Sequence, residues 1–133
     1  MPNNLTNFLE NALLDHSLGR TSYTMPAVVR LVLFTADPGE AGSFADEVGA
    51  GLGYARQPLT IDAAAAGATQ NDTLITFGPA SSPWGTVTHV GVADSASIGA
   101  GNLLWYGPLN IAKTVGTGED IEFDPGDLDF AMF

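Results

Sequence analysis

One run of residues restricts the fold more than any other. AVVRLVLFT, from Ala27 to Thr35, follows Pro26, is rich in β-branched residues and is apolar on both faces except at Arg30. A strand of that kind has no side to give to solvent, so it belongs in the middle of a sheet that is buried from both directions. The remaining residues must therefore supply the cover.

Most of that cover reads as short strands. YARQPLTI contains Pro58, which cannot donate to a ladder and predicts a sheet edge or a bulge. DTLITFG (72–78), GTVTHVGVAD (85–94) and NLLWYGPL (102–109) follow, separated by Gly, Pro, Ser and Asn clusters. EDIEFDP (119–125) and DLDFAMF (127–133) alternate acid with apolar residues around a Pro-Gly-Asp turn. That alternation places Ile121 and Phe123 on one face, and Leu128, Phe130 and Met132 on another. ADPGEAGSFADEVGAGLG, residues 36–53, has little periodicity and predicts a long exposed loop rich in glycine and acid.

Only the N-terminal segment, residues 1–20, has helical period. Leu5, Phe8, Leu9, Ala12, Leu13 and His16 line one face, Asn3 or Asn4 is placed to cap the start, and Gly19 stands where a left-handed terminal residue belongs. Six to eight strands and one N-terminal α-helix predict a mainly β chain. The expected form is a single β-sandwich domain over residues 1–133, of jelly-roll or immunoglobulin-like kind.

Composition narrows the chemistry. Lys and Arg number 4 against 15 Asp and Glu, a formal net charge of −11, which repels phosphate backbones and predicts no nucleic-acid partner. Cysteine is absent, so disulfides and thiolate metal sites are excluded. The start MPNNLTNFLENALL lacks the charged head and apolar stretch of a signal peptide. No run reaches the roughly 18 apolar residues of a membrane span. A soluble protein made in the cytoplasm, without a membrane partner, is expected.

The recognisable catalytic and ligand patterns fail one by one. Gly49, Gly51 and Gly53 lead into a strand-like run with no Gly-Lys-Ser/Thr after them, so they read as backbone freedom at a loop end and not as a phosphate cradle. The acidic tail does not fit an EF-hand, because counting from Asp120 the sixth and twelfth places hold Pro125 and Ala131. His16 and His89 lie outside any nucleophile or zinc-binding motif. No cofactor, metal or catalytic residue is expected, and the two sequons, at Asn4 and Asn71, are discarded. Three scarce cations, Arg20, Arg30 and Arg56, and the aromatics Trp84, Trp105 and Tyr106 are the candidates for an interface, with internal salt bridges for the cations and core packing for the aromatics as the alternative.

Read together, LENALLDHSLGRTSYTMPAVVRLVLFTADPGEAG, GYARQPLTI, FGPASSPWGTVTHVGVADSASIGAGNLLWYGPL and KTVGTGEDIEFDPGDL resemble, in that order, a family of short tailed-phage virion proteins often labelled tail fibre proteins. The most telling pieces are Tyr54–Arg56, Trp84–His89 and Gly101–Leu104. The resemblance implies a non-enzymatic component of the particle surface. Its partners would be the major capsid protein or tail proteins of the same virion, and closed self-association would make a trimer or dimer. No heptads, β-helix repeat or collagen-like run supplies a fibre shaft, so a capsid decoration (cement) protein is the first expectation. A tail fibre or baseplate component that contacts a host receptor is the alternative.

Overall fold

The computed structural model describes residues 3–132. Strands hold 36% of the chain and helix 8%, so the class is mainly β, and the arrangement is sandwich-like. Chain order is β1 (Asn4–Leu5), α1 (Asn7–Ser17), β2 (Arg30–Phe34), β3 (Gln57–Pro58), β4 (Ala68–Gln70), β5 (Ile75–Phe77), β6 (Gly85–Ala93), β7 (Leu103–Val115), β8 (Ile121–Phe123) and β9 (Asp129–Ala131). One five-stranded antiparallel sheet, ordered β1-β7-β6-β2-β3, is joined by two ribbons, β4-β9 and β5-β8.

Strand β2 behaves as its sequence requires. Alternate side chains go to opposite faces. Leu31 and Leu33 enter a core with Val87, Val90 and Val92 of β6 and the apolar residues of the ribbons, Ile75, Phe77, Ile121, Phe123 and Phe130. Val32 and Phe34 enter a second core with Ala93, Leu103 and Tyr106, against which Phe44 packs. The ribbons cover one face of the sheet together with Val48 and Leu52 of the 36–53 segment, and Phe44 of that segment packs on the other. That segment is strand-free, yet it is not simply exposed. Phe44 stacks on Phe34 at 6.2 Å, Val48 is buried, and Glu47 bridges to Phe34.

The glycine cluster at 49–53 serves the backbone. Gly53 has φ +80°, and a Cβ there would lie 2.7 Å from the Pro79 carbonyl oxygen; only glycine combines that conformation with that approach. Gly91 in β6 has an ordinary φ but no room, since a Cβ would meet the Trp105 carbonyl oxygen at 2.9 Å and the Leu103 side chain at 2.8 Å. Gly91→Ala is therefore expected to cost about 1–3 kcal/mol through overpacking, read as a lower urea midpoint; an unchanged midpoint would contradict this packing.

Several sequence expectations need correction. Helix α1 begins at Asn7 and is capped by Thr6, not by Asn3 or Asn4, because Asn4 and Leu5 are paired as a strand with Tyr106 and Trp105. The Thr6 hydroxyl donates to the Leu103 carbonyl at 2.6 Å and accepts from the Leu9 amide at 3.4 Å, fixing the helix to β7. At the other end the Arg20 amide donates to Asp15 and the Gly19 amide to His16, with Gly19 at φ +81°. These paired bonds satisfy the last carbonyls and end the helix where the glycine predicts. Only Leu9 of the expected face is buried, while Phe8 and His16 are exposed. Met1 and Pro2 of the expected 1–20 segment, and Phe133 of the last expected strand, lie outside the described residues.

Three strand assignments also change. β4 was not legible in its alanine-rich surroundings. β7 runs on to Val115, because Val87 pairs with Lys113 and His89 with Pro108, so residues 109–112 bulge out of the ladder. The two acidic strands around the Pro-Gly-Asp turn part company: β8 pairs with β5 and β9 with β4. Leu128 and Phe130 are buried as their alternation requires, but Met132 is exposed.

Candidate functional site

The six residues singled out from sequence do not form one surface. Arg56 is enclosed. Its Nε and Nη2 donate to Glu47 at 2.8 and 2.7 Å, its Nη1 donates to the carbonyls of Ser95 and Ala100, and its guanidinium lies 4.7 Å from the centre of the Phe44 ring. Glu47 in turn accepts from the Tyr54 hydroxyl and the Gly99 amide, both at 2.8 Å. The Arg56 and Glu47 side chains are 0% and 1% exposed, and this pair staples the 36–53 segment and the 95–100 turn to the sheet. Trp84 is likewise buried, edge-on to Tyr54 at 5.7 Å with its Nε1 donating to the Leu52 carbonyl. Tyr106 is buried in the second core. Arg56, Trp84 and Tyr106 thus take the internal places that were the alternative to an interface.

Arg20 is exposed and pairs with Asp15 at 3.2 Å. Arg30 is half-buried in β2 opposite Pro58 and Ala93. Trp105 is half-buried and meets Phe130 edge-on at 5.7 Å. The histidines stay apart: His16 Nδ1 accepts from the Tyr23 amide at 3.0 Å, whereas His89 contacts Thr88 on β6. Among the described residues no group of three or more His, Cys, Asp or Glu is placed to hold a metal ion, and no helix is long and apolar enough to cross a membrane.

What the structure does assemble is an apolar face around α1 and β9. Between α1 and the sheet lies a cleft of about 370 Å³, walled by Leu9 and Leu13 of the helix, Tyr23 and Pro26 of the following segment, and Trp105 and Phe130. On the other flank of α1 a second cleft, about 610 Å³, runs between Leu5 of β1 and Ala131 and Met132 at the C-terminal strand. Leu13 borders both. Leu14 (57% exposed) and Met132 (51%) line the second cleft, and Leu18 (79%) and Met25 (83%) are exposed in the segment that follows α1. Scattered exposed leucines mean little, but a contiguous set beside two apolar clefts marks an interaction surface. The sequence carried a signal for it. Leu14 and Leu18 sit four residues apart on a second stripe of α1, beyond the stripe that buries Leu9, and a helix apolar on two stripes needs a second partner.

The tyrosines make the fold sensitive to alkali. Burial, with Glu47 beside it, pushes the Tyr54 phenol well above its ordinary value, and desolvation raises Tyr23 and Tyr106 as well. The folded state therefore holds these protons where the unfolded chain, titrating near pH 10, releases them. Stability is full below about pH 10 and falls as pH rises beyond it. Phenolate absorbance at 295 nm is expected to rise together with loss of the far-ultraviolet circular dichroism; complete ionisation near pH 10 in an intact fold would contradict it.

A family model described as Podophage GP4 fiber I protein gp80 matches residues 4–131. No curated protein matches the chain. Since the match runs from the start of β1 to the end of β9, the chain belongs to the Podophage GP4 fiber I protein gp80 family, a structural protein of a short-tailed phage virion.

Proposed function

We propose that the protein is a non-enzymatic module of the outer particle surface, acting as a decoration protein of the head that grips a neighbouring virion protein through the α1–β9 face. The observation that carries this reading is the apolar cleft lined by the exposed Leu14 and Met132, with Leu18 and Met25 exposed in the segment after α1. Covering them removes apolar area from water, at about 25 cal/mol per Å². A net charge of −11 opposes a position against packaged DNA and favours an outward one. Among the described residues no repeat builds a shaft, and many weak contacts on a shell lattice add through effective concentration. Dimers or trimers are the closed forms such copies would take.

The family description, which names a fibre, favours a second reading: a tail fibre or baseplate component that contacts a host receptor. Trp105, not the buried Trp84, is then the aromatic available to stack on a sugar. Glycan-array binding lost in Trp105→Ala would support it.

Purified protein added to particles from which it is missing tests the first reading. Wild type is expected to bind, and electron microscopy of labelled copies to place it on the head. Leu14→Asp, at an exposed position where stability changes stay within about 0.5 kcal/mol, is expected to bind at least ~10-fold more weakly, the loss of one buried leucine contact and the burial of a charge together exceeding 1.4 kcal/mol. Label found on the tail alone would replace the head reading with the fibre one.

A further inference from the structure

The larger cleft beside α1 has two strand edges for walls. The Thr6 amide donates to the Leu104 carbonyl, so in the antiparallel ladder of β1 with β7 the hydrogen-bonded pairs are Thr6 with Leu104 and Asn4 with Tyr106. Leu5 between them turns its own amide and carbonyl away from β7. On the opposite wall the Met132 amide donates to Gly67 and the Asn71 amide to Leu128. Hydrogen-bonded pairs between β9 and β4 therefore fall at 132, 130 and 128, and the backbone groups of Ala131 and Asp129 point away from β4. Among the described residues no backbone group pairs with Leu5 or Ala131 on these outer sides. Between the two edges is a cleft of about 610 Å³ roofed by α1, within the roughly 300–1,000 Å³ of ligand clefts.

We infer that this cleft receives an extended segment of another virion protein, added as a strand along the β9 edge beneath α1. The inference deepens the docking reading above and rests on it. Edge addition joins main-chain hydrogen bonds to pockets for alternate side chains, and the cleft offers both: open amides and carbonyls at Leu5 and Ala131, and apolar walls at Leu13, Leu14 and Met132. Charge selects the occupant. Glu10 lines the cleft, Asp129 stands on β9, and the whole chain carries −11. A second copy would bring the same excess of acid, whereas an apolar segment flanked by Lys or Arg is attracted. The partner is thus a different protein, with a basic-flanked extended arm.

Ala131→Pro isolates the edge. Proline removes an amide that β4 does not use, so the ladder to β4 is kept, and the thermal midpoint of the free protein is expected to stay near wild type. Binding to particles that lack the protein is expected to fall at least 10-fold and to weaken further with salt. Wild-type binding by a folded Ala131→Pro variant would overturn the added strand and leave docking intact; failure of wild type itself to bind would instead defeat the docking reading. Should Ala131→Pro prove unfolded, Leu14→Cys decides, since the chain has no other cysteine. Cross-linked in intact virions through a short thiol-to-amine reagent, it is expected to join a Lys-flanked apolar peptide of a different protein. Cross-links only to an amine of this same chain, such as Lys113, would overturn the inference.

Discussion

Arg56→Met is expected to lower the unfolding free energy by about 3–5 kcal/mol, the cost of leaving a buried carboxylate without its partner. For a chain of 133 residues that corresponds to a fall of roughly 10–20 °C in Tm. Glu47 would keep the Tyr54 hydroxyl and the Gly99 amide but lose the guanidinium, and the carbonyls of Ser95 and Ala100 would lose their donor. Arg56→Lys should be intermediate, because an ammonium keeps the charge without the bidentate fork. Combining Arg56→Met with Glu47→Leu removes both charges and should recover part of the loss, though not all, since Gly99 and the two carbonyls stay unpaired. Urea unfolding of the four proteins measures this. Arg56→Met within about 0.5 kcal/mol of wild type would mean that the pair is solvated and staples nothing.

Asn71 should rank beside it. This residue is fully buried, its side-chain amide donates to the carbonyls of Thr73 and Asp124, and its oxygen accepts from the amides of Gly126 and Leu128 at 3.1 and 2.9 Å. Asn71→Ala orphans the buried Leu128 amide, whereas Thr73 and Asp124 are exposed and their carbonyls can turn to water; a loss of about 1–3 kcal/mol is expected. Asn71→Asp should be no better, because a carboxylate accepts from the amides but cannot donate to the carbonyls. Because Asn71 fastens the turn before β9 to the end of β4, hydrogen exchange in the Asp129–Ala131 strand should accelerate more than in β2. Uniform acceleration across both strands would instead mark Asn71 as one contact among many.

The sequence revealed most about elements whose burial is decided locally. Val32 and Leu33 leave β2 no exposed face, Pro58 marks an edge strand, and Gly19 ends the helix; each follows from the residue itself. The rest depended on distant partners. Asn4 reads as a helix cap until β7 claims it, and Thr6 takes the role because Leu103 lies across from it. β4, built from Ala68, Thr69 and Gln70, has no hydrophobic signature and exists because Phe130 and Ala131 pair with it. Arg56 is legible as a scarce cation due to pair with a carboxylate, inside the fold or at an interface, but its partner is not, since Glu47, nine residues earlier, gives no sign in sequence that it folds back. The docking face suffered the opposite fault. The stripe of Leu5, Phe8, Leu9, Ala12, Leu13 and His16 leaves out Leu14 and Leu18, and the contribution of Met132 depends on the fold bringing β9 to the cleft beside α1.

Throughout, the central claim is that a neighbouring virion protein covers the face formed by α1 and β9. Cryo-electron microscopy of the mature particle, at a resolution that traces this chain, tests it directly. The account predicts Leu14, Leu18 and Met132 buried against another protein. Those side chains open to solvent, with the chain held instead through the exposed bulge at Ile111, would contradict it.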